Sequence, residues 1–419
     1  MDFSFNKNIL VVLAIILILT GGIIFVIQKK VVGKSAVIAD VQSGTVPTPT
    51  ISPTPTPIPP PQKLSNPPAI IKAVYVTGYS AGSKNYLNYL TNLFKNTQIN
   101  AVVVDIKGSD GQTKLYNADS FVRFLHDQNI YVIGRIAVFE DPVFAKARPD
   151  LAIYNKSESG DLSNPACPEP CRRVLWKDNN KLAWMDPASP DVWNYNVSLA
   201  KDAFSNGFDE VNFDYVRFPT DGQEKNMGFP VWDEKVSMAD TINNFFKYVR
   251  TNLAGQKISA DLFGLTTVNN DDMGIGQLIQ NAFTNFDYVS PMVYPSHYAK
   301  GFIGFANPAE YPYDVIKYSM DHALAKENAF VKNEQNLIAK YSESLGSPAS
   351  ASQIFTPIPV IVPLAKYRPW LQDFNMGANY TADMVDQEIK ATQDSLGSDY
   401  AGFMLWNPNN VYTQSAVLK

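Results

Sequence analysis

Histidine and cysteine are scarce in this chain. Its 419 residues hold three histidines, His126, His297 and His322, and two cysteines, Cys167 and Cys171. A zinc centre usually takes four ligands, nitrogen or sulfur for the most part, at short characteristic spacings. None of the histidines lies near a cysteine or another histidine in sequence. Carboxylates also bind metals, but no pattern signals a metal centre or a cofactor. Clustered positive charge is missing too. Lys and Arg number 35 against 40 Asp and Glu, the net charge is −5, and there is no long basic run. This argues against phosphate neutralisation and against nucleic acid as a partner. No glycine-rich phosphate loop follows the first apolar run, which counts against a doubly wound dinucleotide-binding sheet.

The two cysteines stand close together in "CPEPC". A Cys167–Cys171 disulfide across this short loop is the first expectation, ahead of free thiols and then of a metal-ligand pair. A disulfide would place the domain in an oxidising compartment.

Residues 1–8 form a short N-terminal tail. Residues 9–27, "ILVVLAIILILTGGIIFVI", carry no charge over 19 positions. That is long enough to span a bilayer as a helix, and longer than the apolar core of a cleavable signal peptide. An uncleaved single-pass anchor is expected. Lys29, Lys30 and Lys34 follow it, which by the positive-inside rule would keep the remainder cytoplasmic. The next segment argues the other way. Residues 28–68 read as a Pro/Thr-rich spacer, with ten prolines between Ser43 and Pro68 and no apolar periodicity. A stiff spacer after an anchor suits a domain held away from the membrane. The expected location is therefore the cell membrane, with the domain extracytoplasmic.

From Ala69 to Lys419 the pattern changes. Eight short runs rich in Val, Ile, Phe and Tyr read as strands: 73–79, 100–107, 130–139, 209–218, 257–265, 286–294, 358–367 and 400–406. Helical spacings lie between several of them, at 86–97, 191–207, 240–255 and 381–397. Three of these end at a glycine, Gly207, Gly255 and Gly397. Strand–helix alternation repeated this often predicts an α/β fold, the (β/α)8 barrel.

In such a barrel the active site lies at the C-terminal ends of the strands. The run "GFDEVNFDYVRFP" (207–219) puts Glu210, Asn212 and Asp214 on one face and Val211 and Phe213 on the other. The apolar face should meet the helices, leaving Asp214 inside the barrel near its mouth. Asp105 ends the second run, Asp261 lies in the fifth, Tyr294 ends the sixth and Trp406 ends the eighth. Glycoside hydrolysis needs two carboxyl groups whose environments push their pKa values apart. Asp214 with Asp105 or Asp261 is the expected pairing. Arg135 in the third run, or Arg217 after the fourth, could hold one of them ionised, and each could equally be a structural ion pair. Glu140 and Asp141 follow the third run. Tyr294 and His297 could bond sugar hydroxyls, and Trp406 could offer an apolar platform. Trp176 and Trp184 belong to the long loop before the fourth strand, either lining a groove or stapling that loop down.

"GFDEVNFDYVRFPTDG", preceded by "WMDPASPDVWNY", resembles a bacterial family of glycoside hydrolase-like TIM barrels. These were long catalogued as a domain of unknown function and are often membrane-attached. The likeness runs from about Lys72 to Asn410 and includes "AVYVTGYSAG", "NAVVVDIKGSDG" and "SPMVYPSHY". It implies a sugar-polymer hydrolase with Asp214 as the essential fourth-strand carboxylate. Polysaccharide is then the expected substrate. The alternatives are a surface glycan-binding barrel without turnover, and a hydrolase acting on sugar esters or amides.

Overall fold

The computed structural model describes residues 59–113, 115, 117–160, 173–344 and 364–419. The 9–27 segment, the spacer as far as residue 58, and Cys167 and Cys171 lie outside the described residues. No described helix is long and apolar enough to cross a membrane.

Eight parallel strands close into a barrel: β1 (Ile71–Val76), β2 (Ala101–Lys107), β3 (Tyr131–Ala137), β4 (Glu210–Asp214), β5 (Lys257–Phe263), β6 (Tyr288–Met292), β7 and β8 (Gly402–Trp406). β7 comes in two pieces, Lys366–Tyr367 and Trp370–Gln372. Pro369 separates them, because proline has no N–H for the ladder. The run read at 358–367 therefore lies early: its first residues fall outside the described chain and the strand continues to Gln372. Closure comes from Trp370 pairing with Met292 of β6 on one side, and from β7 and β1 pairing with β8 on the other. At the β8–β1 seam Gly402 has φ +115, and a Cβ there would overlap the Ile71 carbonyl. Only glycine lets these two backbones meet.

Six longer helices cover the strands: α1 (Lys84–Asn96), α2 (Ala118–His126), α3 (Pro190–Ser205), α4 (Met238–Asn252), α5 (Pro312–Ser344) and α6 (Ala382–Leu396). Their starts are coded locally. Ser189, Ser237 and Thr381 each cap a helix by accepting from a backbone N–H in its first turn, and Pro190 occupies the first turn of α3. The alternation is less regular than the sequence suggested. Between β5 and β6 the described chain makes only 3-10 turns, Gly264–Thr267 and Ile279–Asn281, and after β8 only Gln414–Ala416. The segment between β5 and β6 is rich in Gly, Asn and Asp, which favour turns over helix interiors.

Alternation along β4 works as anticipated. Val211 and Phe213 pack outward, with Phe213 against Phe245 of α4, while Glu210, Asn212 and Asp214 face the lumen. Ala73, Ala101, Val103, Ile133 and Met404 fill the lumen with apolar side chains. Near its N-terminal end lies a buried polar layer, in which Arg368 grips Glu210 and Ser259 donates to it at 2.5 Å. Residues 59–68, the end of the stretch read as spacer, run beneath the barrel. Leu64 packs on the lumen core and its N–H donates to Asp209 at 2.7 Å, while the Pro61 carbonyl rests against Gly207.

Candidate active site

The C-terminal strand ends build an ionic cluster around one guanidinium. Arg135 of β3 donates to Asp214 of β4 from Nε at 3.0 Å and from Nη2 at 2.5 Å, and to Asp105 of β2 from Nη1 at 2.6 Å. Tyr75 of β1 donates its hydroxyl to the other Asp105 oxygen at 2.5 Å. Asp214 also accepts the N–H of Tyr215 at 2.6 Å. Tyr215 itself sits at φ +54, a left-handed conformation that a bulky residue rarely adopts. This turn swings the chain sharply away from β4 directly after Asp214.

Asp261 of β5 lies 3.9 Å from Arg135 Nε and accepts from Asn212 at 2.8 Å. It is fully buried, and burial together with the Asp214 charge pushes its carboxyl well above the usual carboxylate range. Burial also raises Asp105, against the pull of Arg135.

A cleft of ≈ 200 Å³ opens above this cluster. Arg135 and Asp214 reach it; Asp105 and Asp261 do not. Of the other residues singled out from the sequence, Arg217, Tyr294, His297 and Trp406 all line it. Arg217 is not the partner of Asp214. Its guanidinium lies between the rings of Trp184 and Phe263, 4.7 and 4.9 Å from their centroids, and 3.9 Å from Asp221. Tyr294 stands 5.7 Å from Trp406 and 5.1 Å from His297, ring centre to ring centre, giving the cleft an aromatic wall. Burial lowers the His297 imidazole to about 4, so at neutral pH it is an uncharged donor or acceptor. Trp176 and Trp184 are buried and do not line the cleft. Their indole N–H groups go to the Gln223 carbonyl and to Asp178, so both staple the loop.

The cleft also holds Glu140, which sequence reasoning noted beside the third strand but did not place in the acid pair. Glu140 is buried and makes no hydrogen bond to another described residue. Burial, then the negative charges of Asp178, Asp221 and Asp214, raise its carboxyl well above the usual range, although Arg217 pulls the other way. Its neighbour Asp141 caps the next short helix at the Phe144 N–H and takes the buried Lys107 ammonium at 2.7 Å. The Glu140–Asp141 pair thus divides into one residue facing the cleft and one fastening the loop. A carboxylate immediately after a barrel strand was the available signal.

A family model described as "Putative glycosyl hydrolase domain" matches residues 73–346 and 349–412. No curated protein matches the chain. Among solved structures, a hypothetical protein from Ruminiclostridium thermocellum ATCC 27405 is 35% identical, with 45% of this chain and 96% of that chain covered and a TM-score of 0.39. The glycoside hydrolase domain of PgaB (BpsB) from Bordetella bronchiseptica is 13% identical, covering 81% and 94%, with a TM-score of 0.49. The glycoside hydrolase domain of a PelA variant from Pseudomonas aeruginosa is 10% identical, covering 81% and 96%, with a TM-score of 0.41.

Proposed function

This chain belongs to that glycosyl hydrolase domain family, and from this membership we propose that it hydrolyses glycosidic bonds in a polysaccharide, with Asp214 and Glu140 as the working carboxyl groups. One observation carries the pairing: two acids on the same cleft stand in opposite electrostatic settings. Three N–H groups, two of them from a guanidinium, point at Asp214. Glu140 has no cation bonded to it and three acidic neighbours, so it holds its proton to higher pH. Glycoside hydrolysis asks for this division of labour. Glu140 donates its proton to the leaving oxygen as the glycosidic bond breaks. Asp214 attacks the anomeric carbon or takes a proton from the water that does. Both Asp214 oxygens already accept hydrogen bonds, the observation that favours a glycan-binding barrel without turnover. A carboxylate has about four lone-pair sites, so acceptor capacity remains.

Tyr294 and Trp406 supply apolar faces for sugar rings, and neutral His297 a hydroxyl contact. In the same proposal the 9–27 segment anchors the domain at the outer face of a cell membrane, and the spacer carries it toward wall or extracellular polysaccharide.

The test is reducing-end release from a panel of wall and extracellular polysaccharides. Asp214→Asn should cut kcat by at least about 10³-fold, in the range for loss of an essential group. Undiminished cleavage by this variant would refute the assignment.

A further inference from the structure

A second cavity, ≈ 300 Å³, opens at the ends of β1 and β2. The first cleft takes its walls from the ends of β3 to β8. The two share one partition. Asp105 lines the second cavity, Arg135 lines the first, and they are joined by the 2.6 Å ion pair. Asp214 is bound to the same guanidinium. The two cavities thus lie side by side across the barrel mouth, with the reactive carboxylate at their boundary. The second, at ≈ 300 Å³, stands at the lower limit of the roughly 300–1,000 Å³ typical of small-ligand sites.

From this geometry we infer that the second cavity is a sugar-binding subsite, so that a polysaccharide lies across the whole mouth and is cut within the chain. The inference rests on the hydrolase reading above and specifies the length of its substrate. The rim of the cavity has the required chemistry. Tyr79 is 83% exposed and stands on the short helix Gly78–Ala81, which the Thr77 side chain caps at the Ser80 N–H. It offers a ring face to a sugar from an anchored backbone. The Ser109 and Gln112 side chains make no hydrogen bond to another described residue and are available for sugar hydroxyls. Their loop is pinned by bonds from Gly108 N–H to the Gln112 carbonyl (3.2 Å) and from Gly111 N–H to the Gly108 carbonyl (3.0 Å). An exposed tyrosine on a fixed turn beside unspent polar groups suits sugar binding, and the fold does not need its packing.

The experiment uses oligosaccharides made by partial acid hydrolysis of purified bacterial wall polysaccharide, separated into disaccharide-sized and longer fractions. Binding is measured by calorimetry and cutting by reducing-end release. Tyr79→Ala should reduce the preference for long over short fractions about tenfold, the loss expected for one aromatic anchor. An unchanged preference overturns the subsite while leaving the hydrolase standing. A wild type that binds long fractions through Tyr79 but cuts none overturns the hydrolase and keeps the subsite. A wild type that neither binds nor cuts any fraction overturns both.

Discussion

Arg135 spends two of its N–H donors on a single oxygen of Asp214, at 3.0 and 2.5 Å, and holds Asp105 with a third. One cation thus orients the fourth-strand carboxylate and stands against three buried acids, Asp261 among them at 3.9 Å. Removing it should harm stability as well as chemistry. Arg135→Gln is expected to lose about 3–5 kcal/mol, the scale for stranding buried charges. Denaturant unfolding checks this, and the loss should shrink at low pH, where Asp105 and Asp261, both raised by burial, take up protons.

Glu140→Gln separates activity from stability. As general acid Glu140 is worth about 10²–10⁴ in rate, so kcat on natural glycans should fall by that factor. The alkaline limb of the pH–rate profile should disappear with it. Stability should move oppositely. A carboxyl raised in the folded state contributes stability that is full below its unfolded pKa, near 4.5, and is lost as pH rises through the folded value. The amide never ionises, so thermal unfolding of Glu140→Gln at neutral pH should occur above the wild-type Tm.

His297 has the opposite sign. Its imidazole is depressed from 6.5 to about 4 by burial. The neutral ring contributes stability present above pH 6.5 and lost as pH falls toward 4, on the order of 3 kcal/mol in full. His297→Asn should flatten the stability–pH curve in that window. A curve parallel to wild type would show that the ring is freely solvated.

Beneath the barrel, Asp209 accepts from the Leu64 and Val132 backbones at 2.7 and 2.8 Å and pairs with His126 at 2.9 Å. Asp209→Ala leaves those donors unpaired and should cost about 1–3 kcal/mol. A chain beginning at Ala69 should be destabilised as well, since it lacks Leu64. Melting temperatures of the two, each compared with the full chain, would test this.

Much of the barrel was legible because its signals are local. The alternation in "DEVNFDYVRF" sends Phe213 outward and Asp214 inward whatever the neighbouring strands do. Caps such as Ser189 and Ser237 mark helix starts in the sequence itself. Proline and glycine patterns were harder to read: Pro369 breaks β7 by an N–H it lacks, and Gly402 matters only where β8 meets Ile71.

The site was legible in residue type but not in role. Asp105, Arg135, Asp214 and Asp261 could each be placed inside the barrel from strand periodicity. Which cation met which acid, and which acid kept contact with solvent, could not. Arg217 and Arg135 look alike as residues near strand ends, yet one lies between aromatic rings and the other carries Asp214. Glu140 looks like one more loop acid until closure surrounds it with Asp178, Asp221 and Asp214. Periodicity is carried by bonds between neighbours along the chain, so the sequence determined the strands and their inward faces. Burial and charge pairing depend on distances between residues far apart in sequence, such as Glu210 and Arg368, 158 positions apart, and only closure of the barrel decided those.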